Sequence, residues 1–193
     1  MNVARAKPVY MRYFFLLLVV LGAAGAARAQ ELVSFKDSVR HFEIGVPRGW
    51  KYQSAPNAAI AFFAYRPKAD TSEKVMVNYN LNVITGKKNS SIGREYRRLM
   101  NALLSAGDMT VTEKDSIVIH GQPWLSFADT HPNMMAGRQL LMGEYVLVTY
   151  KEETTYILTF TTTAERLAKD KELFVKIAAT VVVDPPAAGA VRS

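Results

Sequence analysis

Val75-Met76-Val77-Asn78-Tyr79-Asn80-Leu81-Asn82-Val83-Ile84 alternates without a break and stops at Gly86-Lys87-Lys88-Asn89. Val75, Val77, Tyr79, Leu81 and Val83 share one face, and Met76, Asn78, Asn80 and Asn82 the other, as the period of two in a strand requires. Beyond the turn the period changes to 3.6. Ile92, Tyr96, Leu99, Met100, Leu103 and Leu104 fall on one helical stripe, with Ser91 placed as N-cap and Gly107 after the last turn. Arg94, Arg97, Arg98 and Asn101 take the opposite side of that helix.

Downstream, the pattern returns to strands: Thr110 to Ile119, a turn at His120-Gly121, then Trp124 to Thr130. Gln139 to Tyr150 and Thr155 to Thr161 form a natural pair about Lys151-Glu152-Glu153-Thr154. The last helix is expected to start from Thr162 as N-cap with Glu165 completing a capping box, and to turn Leu167, Phe174, Ile177, Ala178 and Val181 inward. Upstream, Phe42, Ile44 and Val46 alternate until Pro47-Arg48-Gly49, Trp50 and Tyr52 resume an apolar side, and Ile60 to Tyr65 is a short buried strand. Antiparallel strands interrupted by one helix and closed by another predict an α+β domain, with an antiparallel sheet covered by helices.

The stretch Phe42-Glu43-Ile44-Gly45-Val46-Pro47-Arg48-Gly49-Trp50 resembles the opening of PsbP-like domains. The resemblance continues through the central helix, the turn from Ile117 to Trp124 with Gly121, and Tyr156-Ile157-Leu158-Thr159-Phe160 leading to Phe174 and Ile177. That superfamily includes the extrinsic photosystem II protein, the exported bacterial DcrB-like branch and a nuclear-import factor that binds the GTPase Ran. The resemblance implies an antiparallel sheet sandwiched by helices and a non-enzymatic binding role. It carries over no catalytic residues.

The chain opens with Arg5, Lys7 and Arg12, an apolar run from Tyr13 to Ala27, and Ala27-Arg28-Ala29, the small-x-small pattern of a signal peptidase site. Residues 1–29 are therefore expected to be a cleaved signal peptide, residues 30–183 the domain, and residues 184–193 a disordered tail. The leader holds four basic and no acidic residues, so 24 Lys+Arg against 17 Asp+Glu becomes 20 against 17, and the net charge falls from +7 to +3. That balance is too mild for a nucleic-acid footprint. Cysteine is absent, so no disulfide staples the domain and no thiol carries a lipid anchor. The expected location is the periplasm or the medium, without a stable membrane anchor after cleavage.

The sequence offers little chemistry. No Gly-x-Ser-x-Gly elbow, Ser-x-x-Lys pair, zinc-protease helix, P-loop or dinucleotide fingerprint is present. His41, His120 and His131 lie outside the two predicted helices, so none has a carboxylate or second histidine at i, i+4 ligand spacing on a helix, and neither a catalytic residue, a metal ligand set nor a cofactor is expected. His131-Pro132-Asn133-Met134-Met135, read as a loop, has thioethers and an imidazole suited to Cu(I). The candidate ligand- or partner-binding residues are Arg94, Arg97 and Arg98 for an anionic surface, Asn78, Asn80 and Asn82 as a groove wall, and Trp124 beside a turn. A charged helix face is more often merely solvated, and the amide row is either a solvated ladder or a groove wall. The reading is an exported non-enzymatic binding or adaptor protein with a protein or small-ligand partner in the cell envelope. Its alternatives are a small envelope hydrolase using carboxylates and His120, or a methionine-based copper carrier.

Overall fold

A computed structural model describes residues 31–68, 75–105, 107–135 and 137–184. The expected leader and the tail after Asp184 lie outside the described residues. From Leu32 onward the chain forms one unit. Its strands are β1 (Leu32–Asp37), β2 (Phe42–Pro47), β3 (Lys51–Ser54), β4 (Phe62–Tyr65), β5 (Asn78–Thr85), β6 (Thr110–Ile119), β7 (Gln122–Met135), β8 (Arg138–Lys151), β9 (Thr154–Thr163) and β10 (Val182–Val183). Helix α1 (Ile92–Ser105) lies between β5 and β6, and α2 (Ala164–Ala178) follows β9.

Seven strands form one antiparallel sheet in the order β3-β4-β5-β9-β8-β7-β6, and β1-β2-β10 form a smaller one. The α+β class and the helix-flanked antiparallel sheet are thus as expected. Alternation decides the faces. Tyr79, Leu81, Leu158, Phe160 and Leu147 are buried in the main core with Ile44 of β2 and Phe174 and Ile177 of α2. Phe160 stacks on Phe174 with centroids 4.6 Å apart, and Tyr79 lies 5.5 Å from Phe160. Such aromatic pairs add to the burial of their area.

Two glycines record how closely the layers approach. The amide of Gly45 donates to Thr180 Oγ1 at 2.7 Å and its carbonyl accepts from Tyr79 Oη at 2.7 Å, while a Cβ there would fall 2.8 Å from Thr180 Oγ1. A Cβ on Gly143 of β8 would stand 3.1 Å from both Ala164 Cα and Leu167 Cβ. Helix α2 can lie this close to β8 because that side chain is missing.

The structure corrects four details. Strand β7 runs on to Met135, so His131 to Met135 is strand paired to β8, not loop. Pro132 is tolerated because β6 ends its pairing at Thr110↔Thr130, which leaves that side of β7 without a β6 neighbour. The N-cap of α2 is Thr163 and makes no side-chain capping bond, so the Thr162–Glu165 box does not form. Thr162 instead donates its hydroxyl to the buried Asp170 at 2.8 Å. Leu104 and Tyr52 are exposed rather than inward.

Candidate functional site

The second face of the large sheet is only partly roofed. Helix α1 packs on β7 and β8, where Met100 meets Phe127, Val146 and Val148, with Tyr96, Leu99 and Leu103 around them. Tyr96 meets Phe127 edge-on at 5.9 Å. Further along the same face, β5 and β9 carry Asn78, Asn80, Asn82, Thr159 and Thr161, all half-buried. The Asn82 Oδ1 atom is buried without a hydrogen-bond partner among the described residues. This strip presents amides and hydroxyls in ladder register, Asn78 opposite Thr161 and Asn80 opposite Thr159.

Where the strip meets the β7–β8 hairpin, three ionisable side chains converge. Asp129 and His131 are two apart on β7 and share a face, and Glu144 lies directly across from Asp129 on β8. His131 Nδ1 is 2.9 Å from Asp129 Oδ1. One donor atom from each of Asp129, His131 and Glu144 lies within 4.8 Å of the others. Thr161 Oγ1 donates to Glu144 Oε1 at 3.1 Å and so orients that carboxyl.

Burial raises the pKa of Asp129 above the ordinary carboxylate range, opposed by the hydrogen bond and charge of His131. Burial also raises Glu144, and the charge of Asp129 raises it further, against the lowering effects of His131 and Thr161. Like charges directly opposite on adjacent strands destabilise a sheet, so the pair needs a cation or a proton between them. Asp129 is 1% exposed, and its Oδ2 has no hydrogen-bond partner among the described residues.

The sequence-predicted residues fall differently. Asn78, Asn80 and Asn82 line the open strip together. Arg98 is engaged by Glu95, Nη2 to Oε2 at 2.6 Å, and Glu95 is itself buried in the first turn of α1 with Ser90 on its other oxygen. Arg94 reaches the Asn89 carbonyl at 3.2 Å, and Arg97 is exposed. The three arginines therefore do not act as one unpartnered patch. Trp124 is only 1% exposed, packed in the main core, and out of reach of a surface partner. His120 sits exposed on its turn at φ 49°, away from the acidic pair. Met134 and Met135 alternate to opposite faces of β7, which separates the thioethers a copper site needs together.

Asp129, His131 and Glu144 do not show at helical spacing, because they sit on two neighbouring strands. The strand signal is present: Asp-x-His at a period of two, with Glu144 as far beyond Arg138 as Asp129 lies before Met135, its partner across the turn.

No family model and no curated protein matches the chain. Solved structures do, and they show the fold to be PsbP-like. Cyanobacterial PsbP (CyanoP) from Synechocystis is 15% identical, with a TM-score of 0.58 over 83% of this chain and 96% of that one. The Ran-binding protein Mog1p of Saccharomyces cerevisiae is 9% identical, with a TM-score of 0.57 over 80% and 96%. LpqN of Mycobacterium tuberculosis, involved in cell envelope biogenesis, is 10% identical, with a TM-score of 0.54 over 80% and 91%. At these identities the likeness is one of fold and does not single out the DcrB-like branch. Among the described residues no helix is long and apolar enough to cross a membrane.

Proposed function

We propose that this chain is an exported, non-enzymatic binding protein that receives an envelope partner or ligand on the amide-rich strip of its large sheet. One observation carries the reading: α1 roofs β7 and β8, while Asn78, Asn80, Asn82, Thr159 and Thr161 stay half-buried in a row beside Glu144. Half-buried amides and hydroxyls on rigid strands suit recognition, since their geometry is fixed before the ligand arrives. Export is argued from the pattern of residues 1–29. Fold neighbours that bind Ran or serve envelope biogenesis are consistent with a binding role.

The test is site-specific photocrosslinking in the native envelope. Probes at Asn80 and Thr159 are expected to capture one defined protein or lipid species, and a probe at exposed Lys169 of α2 is not. Equal capture at all three positions, or none at Asn80 and Thr159, overturns the reading.

The convergence of two carboxylates and an imidazole favours one second reading, the small envelope hydrolase, centred on Asp129, His131 and Glu144 instead of His120. Binding ranks first because His131 pairs with a carboxylate, not with a hydroxyl it could activate. Turnover of an ester or phosphoester panel that disappears in His131→Ala would reverse this order.

A further inference from the structure

We propose that Asp129, His131 and Glu144 form a binding site for a divalent transition-metal ion of the Mn2+, Fe2+ or Zn2+ class. The ligand set is one imidazole nitrogen and two carboxylate oxygens, which suits borderline and hard divalent ions and not Cu(I). All three donors come from the β7–β8 hairpin, so ladder pairing fixes their backbones at Asp129↔Glu144 and His131↔Met142.

The geometry is close to that of a bound ion. Ligand atoms about 2.1 Å from a metal are about 3 Å apart when cis in an octahedral shell. Nδ1 of His131 and Oδ1 of Asp129 are 2.9 Å apart, and the spread over all three donors is within 4.8 Å. Glu144 closes that remaining gap by a side-chain adjustment while Thr161 holds its other lone pairs, the usual arrangement around a metal-bound carboxylate.

Two independent observations point to a cation. Asp129 is sealed from solvent, yet its Oδ2, the oxygen that His131 does not engage, finds no donor among the described residues. A buried acceptor left in that state is destabilising unless a donor or a cation supplies it. The facing carboxylates also repel one another, and a divalent ion balances both charges while taking the imidazole lone pair. Three protein ligands leave coordination positions for water or for a ligand lying on the adjoining amide strip. The site rests on the binding-face reading only for its location. Metal uptake is measured on the isolated protein, so it fails or succeeds independently of the crosslinking result.

The experiment is titration of the EDTA-stripped full chain with ZnCl2 and, separately, MnCl2, followed by calorimetry and thermal melting. One equivalent is expected to bind and to raise the melting temperature, because an ion that binds only the folded state stabilises it. Mn2+ is expected to broaden the NMR signals of Thr161 and His131 selectively. His131→Ala and Glu144→Gln should each weaken binding by at least about 10-fold, whereas His120→Ala should leave it unchanged. Glu144→Gln keeps the shape of the side chain, and its metal-free melting curve shows that the fold survives. The proposal is overturned if no saturable one-to-one uptake occurs for either ion below about 1 mM. It is equally overturned if either variant binds as the parent does.

Discussion

Glu144 shows what a single residue costs the domain. Its half-buried carboxyl faces Asp129 and is pushed upward by partial burial and by its neighbour's charge. A raised folded pKa means that the charged form is disfavoured in the native state, so the penalty is fully present above the folded value and fades as the pH falls toward the unfolded one. Glu144→Gln removes the charge and keeps a group that Thr161 can still meet. In metal-free buffer at pH 8 it should stabilise the domain by about 1 kcal/mol in urea melts, even as it weakens metal uptake. Asp37 has the opposite sign. Burial works to raise it, but the amides of Arg40 and Val39 at 2.8 and 2.9 Å and the Arg40 guanidinium at 3.0 Å together hold it below the usual range. Its contribution is present above the unfolded pKa of about 3.9 and is lost as pH falls through the lower folded value. Asp37→Asn should therefore destabilise at pH 7 by about 1 kcal/mol. The difference from the parent should shrink in melts taken to ever lower pH below the unfolded value; a gap that stays unchanged on acidification would show that the charge is not the cause.

Among the elements, the β8–α2 contact is sensitive to added volume, because a Cβ on Gly143 would meet the Ala164 backbone and the Leu167 side chain at 3.1 Å. Gly143→Val should cost about 3 kcal/mol in chemical denaturation, since helix backbone cannot yield as a flexible side chain does. Gly143→Ala should cost less. Elements like these were legible wherever periodicity ran unbroken. β5, α1 and the β8–β9 hairpin follow from alternation, from the 3.6 stripe, and from a polar two-residue turn that adopts positive φ at Glu152 and Glu153. The end of β7 was not legible, because Pro132 and the polar residues about it read as loop until the sheet shows that β6 has already ended there. That one boundary concealed the acid–histidine cluster, which needs His131 in strand conformation and Glu144 in cross-strand register. The burial of Glu95 and Trp124 was hidden for another reason. Polar or amphipathic residues near helix starts and turns are buried only by tertiary packing, which no local pattern records.

At the scale of the whole molecule, the proposed leader and the first sheet constrain each other. Leu32 opens β1 and pairs with Pro47, and Phe35 further along packs on Phe42 and Phe62. Cleavage within β1 would remove residues from the small sheet and expose β2, which between β1 and β10 is the central strand of the three. Cleavage after Ala29 leaves only Gln30 and Glu31 ahead of the first paired residue, so the domain keeps its complete edge while losing Arg5, Lys7, Arg12 and Arg28. The released chain then carries a net charge of +3 in place of +7. This predicts that the protein isolated from the envelope or medium begins at Gln30, by N-terminal sequencing or intact mass. It also predicts that its affinity for heparin or DNA falls steeply between low and physiological salt, as expected of weak non-specific attraction. A chain still beginning at Met1 in the membrane fraction would instead make residues 1–29 an anchor and would confine the amide strip to partners at a membrane surface.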